Sequence, residues 1–230
     1  MKLGSLGARF GAVFKRLSGF GVSPSKGKYA LDHLVQDEAQ EVLGPIQDDE
    51  ALLLYSVIRA MRLRCIVEIG GLGGYSARNF CRAVSRYGKV VTIDINEVPR
   101  VAPNHLVIKK DCRDISERDL RERVDMIFFD AHVYDEQIEF FNRLQALGLV
   151  ADNVVIALHD TGLHPKKVVD WAYWISEEGG WCHQPVERRM VGYFKSIGFD
   201  AICFHTQLDE VSIKFRHGVT LMKRFKPLCI

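Results

Sequence analysis

Five apolar segments of this chain end on residues that can bind a ligand or move a proton. Cys65-Ile66-Val67-Glu68-Ile69 runs into Gly70-Gly71-Leu72-Gly73-Gly74, and Val90-Val91-Thr92-Ile93 ends on Asp94. Leu106-Val107-Ile108 is followed by Asp111-Cys112, and Met126-Ile127-Phe128-Phe129 ends on Asp130, with His132 just beyond. Val154 to Leu158 ends on His159-Asp160. A glycine turn followed about twenty residues later by an acid is a nucleoside pattern: the turn lets backbone approach the ligand, and the carboxylate accepts from both ribose hydroxyls. Two cofactor classes carry such a nucleoside. The dinucleotide fingerprint needs glycine or alanine at 76, where Ser76 stands. Glu68, two residues before the turn, would repel a pyrophosphate but attract a sulfonium or ammonium group. S-adenosylmethionine (SAM) is therefore favoured over a nicotinamide dinucleotide. His159 and His132 compete for the role of general base, since either titrates near neutrality, and Asp160 stands beside the first of them.

The elements that must position these residues alternate. From Asp48 a helix reads to Arg64 on Leu52, Leu53, Val57, Ile58 and Met61. Helices are expected over about 75–87, closed by Gly88, over 115–123, short and charged, and over 135–147, closed by Gly148. A further helix runs from Pro165 to Glu178, and 96–103, with two prolines, is irregular. Phe199–His205 and Val219–Phe225 read as a terminal antiparallel pair. Five βα units plus that pair give the fold class: α/β, a doubly wound, seven-stranded, mostly parallel sheet with a C-terminal antiparallel hairpin.

The 31 Lys and Arg against 29 Asp and Glu, a net charge of +2, conceal an uneven layout. Residues 1–31 hold six cations (Lys2, Arg9, Lys15, Arg16, Lys26, Lys28) and no acid, which leaves the rest at −4. This suggests a basic N-terminal arm and lead-in over 1–44 and one globular domain over 45–230, not a uniformly basic nucleic-acid binder. Leu3, Leu6, Phe10, Phe14 and Leu17 follow helical spacing among those cations, so the arm has weak membrane-surface character, opposed by its glycines. No stretch reaches the roughly 18 apolar residues that span a bilayer. Six scattered cysteines (65, 81, 112, 182, 203, 229) with no C-x-x-C pair point to reduced, cytoplasmic usage.

Val67-Glu68-Ile69-Gly70-Gly71-Leu72-Gly73-Gly74-Tyr75-Ser76-Ala77 resembles the first motif of class I SAM-dependent methyltransferases. Its Glu-x-Gly-x-x-x-Gly-Tyr-Ser form is similar to O-methyltransferases of the catechol and caffeoyl-CoA type. Thr92-Ile93-Asp94, Val124 to Ala131 and the final strand pair extend the resemblance over about 45–225. It implies a Rossmann-like domain in which Glu68, Gly70, Gly74, Tyr75 and Ser76 line the methionine end of SAM. It further implies Asp94 on the ribose, Asp111-Cys112 beside the adenine and Asp130 near the transferred methyl. In metal-dependent relatives an acid after the fourth strand and an Asp-Asn pair after the fifth bind a divalent ion. Here Asp130, His159 and Asp160 stand at those positions, closer to the His-Asp of sugar and natural-product enzymes, and Val133 replaces the family's lysine. Oxygen ligands suit Mg²⁺, and a ligating histidine shifts the preference toward a transition metal. The expected reaction is methyl transfer to a hydroxyl oxygen of a small molecule such as a sugar, phenol or natural product, by a cytoplasmic enzyme that can be a homo-oligomer. The base-amine motif Asn-Pro-Pro-aromatic of nucleic-acid methyltransferases is absent from the sequence. The rivals are a nicotinamide-dependent oxidoreductase and a SAM-binding partner protein without turnover. Trp171, Tyr173, Trp174 and Trp181 read either as helix packing or as an aromatic wall for the acceptor. Glu187-Arg188-Arg189, with His183 nearby, reads as a contact for an anionic acceptor or as a solvated face.

Overall fold

A computed structural model describes residues 46, 48–162, 164–165, 176–178, 181–183, 185–204 and 218–224. The basic arm, Trp171, Tyr173 and Trp174 lie outside the described residues. Helix α1 (Asp48–Met61) leads into strand β1 (Cys65–Ile69), helix α2 (Tyr75–Ala83), β2 (Lys89–Asp94) and β3 (His105–Lys109). Then come β4 (Val124–Phe129), helix α3 (Tyr134–Ala146), β5 (Val150–Leu158) and three short strands, β6 (His164–Pro165), β7 (Ser176–Glu178) and β8 (Trp181–His183). Helix α4 (Pro185–Ser196), β9 (Asp200–Phe204) and β10 (Val219–Lys223) complete the order.

Seven strands form one sheet in the order β3-β2-β1-β4-β5-β10-β9. Neighbours from β3 to β5 pair in parallel, and β10 runs antiparallel to both β5 and β9. This is the doubly wound sheet with a terminal antiparallel pair expected from the sequence. Central strands covered on both faces read as unbroken apolar runs, and every residue of β1 is buried. Phe129, Phe140, Phe141 and Phe194 pack with Ile127, Ile156 and Met190 in the core on one side. On the other, buried Asn79 of α2 donates to the Ala51 carbonyl of α1 (2.9 Å), which ties the two helices together.

Three expectations change. Residues 115–123 do not form a helix; a 3₁₀ turn at Cys112–Asp114 precedes a turn closed by the Asp119 carboxylate, which accepts from Ser116 N (3.0 Å) and Oγ (2.8 Å). Such a side-chain bond competes with helix propagation in a segment this short. The helix expected from Pro165 to Glu178 is strand at both described ends, and β6, β8 and β7 make a small antiparallel sheet. Glu178 faces Trp181 across Gly179-Gly180, the sequence signature of a two-residue hairpin loop. Helix α4 was not foreseen.

Candidate active site

Sheet pairing brings the strand ends to one edge. Gly70 N donates to the Ile93 carbonyl (3.0 Å), Asp130 N to that of Ile69 (2.9 Å) and His159 N to that of Phe129 (3.2 Å). Gly70 has φ +89, and a Cβ on it would lie 2.6 Å from the Asp130 carbonyl oxygen, so glycine is required there twice over. Gly74, at φ +73, opens α2 without a side-chain cap, while a Cβ on Gly73 would meet nothing within 4 Å. At Gly73 the turn therefore presents backbone to open space. The Asp94 carboxylate accepts from Gly71 N (2.9 Å) and Asn96 N (2.8 Å), fixing it against the turn with lone pairs to spare for ribose hydroxyls. The donor set and the open turn fit the nucleoside end of SAM.

Glu68 is fully buried. It accepts from Ser76 Oγ and from Thr92 Oγ1 (2.5 Å). Burial pushes its carboxyl up to about 7, against those two hydrogen bonds, which favour the charged form. Thr92 has a third partner that sequence reading missed, His105 Nε2 at 2.7 Å. Val101 N donates to His105 Nδ1 (3.2 Å), which puts the ring proton on Nε2. Burial and the Arg100 charge hold His105 neutral, so donation runs from His105 through Thr92 to Glu68. Tyr75 and Ser76 begin α2 beside this network. Asp111 is taken up by Arg113, accepting its Nη2 at 2.6 Å and its backbone N at 2.9 Å. Cys112 is buried, its thiol directed at the Glu136 carbonyl (3.5 Å) and pushed up to about 11 by burial.

The second half of the edge is a cluster of histidines and carboxylates. His159 is fully buried at the end of β5. Its Nδ1 lies 3.0 Å from Asp130 Oδ1 and 3.4 Å from Asp160 Oδ1, and its Nε2 lies 3.2 Å from Glu50 Oε2. Burial opposes a charge on this ring, but Asp160 and Asp130 outweigh it and raise its pKa well above the usual 6.5. With a carboxylate at each nitrogen, both nitrogens carry protons. Glu50, from α1, also accepts from Gly218 N at the start of β10 (2.7 Å). His132, at φ +54, places Nδ1 2.8 Å from Glu187 Oε1 of α4 and Nε2 3.2 Å from Asp160 Oδ2. Burial again opposes protonation, and Glu187, Asp160 and Asp130 overcome it, setting the ring at about 9. Its side chain remains 39% exposed, and it does not cap α3. Burial raises Asp130, with His159 acting in the other direction.

One ligand atom each from Asp130, His132 and Asp160 lie within 4.8 Å of one another. That is a mixed oxygen and nitrogen set able to hold a divalent ion. It shares Asp130 and Asp160 with the set expected from the sequence and has His132 where His159 was expected. Glu50 and Glu187 were not anticipated as part of the site. Glu187 is fully buried, Arg188 donates to the Thr161 carbonyl (3.5 Å), and Arg189 lies over the Tyr134 ring (3.8 Å), so this triplet is not simply a solvated face.

Residues 67–161 match the family model described as a methyltransferase domain. The fold is similar to that of an O-methyltransferase from Bacillus cereus in complex with SAH, the demethylated product of SAM, at 20% identity and TM-score 0.56 over 93% of this chain and 97% of that one. It is also similar to the O-methyltransferase TomG from Streptomyces achromogenes, involved in tomaymycin synthesis and solved with SAM, at 22% identity and TM-score 0.55 over 94% and 96%. The SAH-bound methyltransferase PaMTH1 from Podospora anserina aligns at 18% identity and TM-score 0.53 over 94% and 96%. No curated protein matches the chain by sequence. Residues 67–161 thus match a methyltransferase domain, and the seven-stranded sheet has the fold of these solved methyltransferase structures.

Proposed function

We propose that this methyltransferase-domain chain transfers a methyl group from SAM to a hydroxyl oxygen of a small molecule, assisted by a divalent ion. The observation that carries the reading is the adjacency of two unlike half-sites along one sheet edge: a glycine turn with Asp94, and the Asp130-His132-Asp160 cluster. SAM supplies the electrophilic methyl, and a divalent ion at the cluster supplies acidification of the acceptor hydroxyl. The protein's part is placement, since an in-line displacement is governed by how donor and acceptor are aligned. Asp94 holds the ribose, Glu68 sets a negative charge behind the cofactor's cationic end, and Asp111 and Cys112 flank the adenine. Gly70 keeps the turn against the Asp130 backbone, so cofactor and acceptor are registered by one peptide contact. His159, with both protons directed at carboxylates, is a buried cation that holds Asp130 and Asp160 in place, not a base. Asp130, His132 and Asp160 face the acceptor.

No helix of the described residues is long and apolar enough to cross a membrane. The free cysteines 65, 81, 112 and 203 suit a reducing cytoplasm. A hydroxylated metabolite such as a sugar or phenol is the acceptor class we favour, because two carboxylates and an imidazole converge where it must bind. The test is a methyl-transfer assay over a panel of hydroxylated small molecules, with and without chelator. We expect SAH production that depends on one acceptor class and falls when chelator is added. Turnover indifferent to chelator would remove the metal, and no turnover on any hydroxyl, with transfer to amines instead, would remove the O-methylation reading.

A further inference from the structure

Glu187 is an acid in the first turn of α4, a place that suits its charge, but it is turned inward. It is a carboxylate at zero exposure, on a helix face otherwise given to Met190 and Phe194. One oxygen takes His132 Nδ1 at 2.8 Å, and the other has no hydrogen-bond partner among the described residues. A buried carboxylate with an unsatisfied oxygen is costly to keep. A return for that cost is found on the opposite side of the imidazole. Because Nδ1 donates to Glu187, Nε2 is the nitrogen turned toward Asp160 Oδ2 and toward the point where Asp130 converges. Nε2 and a carboxylate oxygen 3.2 Å apart need a positive species between them, either the ring's own proton or a metal ion that displaces it and takes both atoms, with Asp130, as ligands. Four carboxylates (Glu50, Asp130, Asp160, Glu187) surround two imidazoles, so acid exceeds base even with both rings charged.

We infer that Glu187 is a positioning residue that fixes His132 as a nitrogen ligand through Nε2, so that this centre prefers a late transition-metal dication such as Co²⁺, Ni²⁺ or Zn²⁺ over Mg²⁺. The inference rests on the divalent-ion reading proposed above and specifies the class of ion. The physical basis is general: a carboxylate on the far nitrogen of a ligating histidine fixes the tautomer, the ring orientation and the basicity of the near one. Imidazole nitrogen suits late transition ions, whereas an all-oxygen set suits Mg²⁺. His132 at φ +54 is held in a backbone conformation unusual for a side-chain-bearing residue, consistent with its ring being aimed by contacts outside its own loop. The group of converging ligand atoms holds His132 and not His159.

The test is titration of the full chain with Co²⁺ and with Mg²⁺ by calorimetry, with proton NMR of the Co²⁺-loaded protein. A Co²⁺-bound imidazole whose far N–H is hydrogen-bonded gives an exchangeable, strongly shifted resonance, a readout independent of activity. We expect that resonance in the wild type and its loss in His132→Gln. We expect Glu187→Ala to weaken Co²⁺ about ten- to hundredfold, with a smaller loss for Mg²⁺. Glu187→Gln, whose amide oxygen still accepts from Nδ1–H, should recover the resonance and covers the case in which the alanine variant does not fold. Equal Co²⁺ affinity in wild type and Glu187→Ala, or a folded Glu187→Gln without the resonance, would overturn the positioning role. Ion binding with no imidazole signal would overturn His132 as ligand while leaving a divalent centre in place. No binding of either ion to the wild type would overturn both this inference and the metal in the proposed function.

Discussion

The glycine-turn half and the histidine–carboxylate half of the sheet edge are built on different principles. In the first, partners lie close in sequence: Glu68 and Ser76 are 8 residues apart, and Gly71 and Asp94 are 23 apart. In the second, His132 meets Glu187 across 55 residues and His159 meets Glu50 across 109. The first half is a backbone cradle whose side chains are few and largely satisfied. The second is a charge cluster in which α1, β4, β5 and α4 each contribute a group, and in which burial, histidines and acids pull against one another. A local cradle can be kept while the chemistry beside it is exchanged, because the two meet chiefly through backbone, with Gly70 against the Asp130 carbonyl and Asp130 N on the Ile69 carbonyl.

If the halves are separable in this way, the largest effect should be confined to one of them. Asp160→Ala should lower kcat/KM by about 10²–10⁴-fold, the usual scale for losing a group that positions or takes a proton in the transition state. Binding of SAH, measured by calorimetry, should be nearly unchanged; an equal loss of both would break the comparison. Next comes a pH effect belonging to the cradle. Glu68 has a folded-state pKa raised from 4.5 to about 7, so its favourable contribution is fully present below about pH 4.5 and is lost as pH rises toward 7. Urea denaturation of the ligand-free protein should show this loss, on the order of 3 kcal/mol at most, and Glu68→Gln should flatten it. Saturating SAM should flatten it more than neutral-sulfur SAH does, because a cation stabilises the charged carboxylate.

Gly70→Ala strikes the seam. A methyl group 2.6 Å from the Asp130 carbonyl, at φ +89, should cost about 1–3 kcal/mol of stability and should impair cofactor affinity and turnover together. Independence of the two after this substitution would show that the seam does not register them. The smallest effect should come from Asp94→Ala. It loses hydrogen bonds to ribose and should weaken SAH about tenfold, equivalent to roughly 1.4 kcal/mol, with little change in metal affinity.

The same contrast explains what could be read without the fold. The cradle was legible because Val67–Ala77 and Thr92–Asp94 each state their role within a few residues, and because an apolar run ending on an acid marks a strand's carboxyl edge. Asp130, His132, His159 and Asp160 were legible as members of that edge but not as partners. Glu50 sits in an amphipathic helix as one more polar residue, and nothing local distinguishes it. Helix α4 was missed for a related reason. Its buried positions at 187, 190 and 194 follow helical spacing, but the first is Glu187, which interrupts the apolar stripe a sequence reading looks for. His105 was hidden at the opposite end of its strand from the site edge; the register of β2 and β3 sets it opposite Val90, from where its ring reaches Thr92 two residues along. In each case the missing information was a long-range pairing, carried by sheet order and not by composition or period.

Whether the cradle receives SAM decides everything else proposed for this edge. Calorimetric titration of the full chain with SAM and with SAH, repeated with the nicotinamide dinucleotide, addresses this directly. We expect one saturable site per chain for each of the first two, weakened by Asp94→Ala, and no heat of binding for the dinucleotide. Binding of the dinucleotide in place of SAM and SAH, or no binding of any of the three, would contradict this.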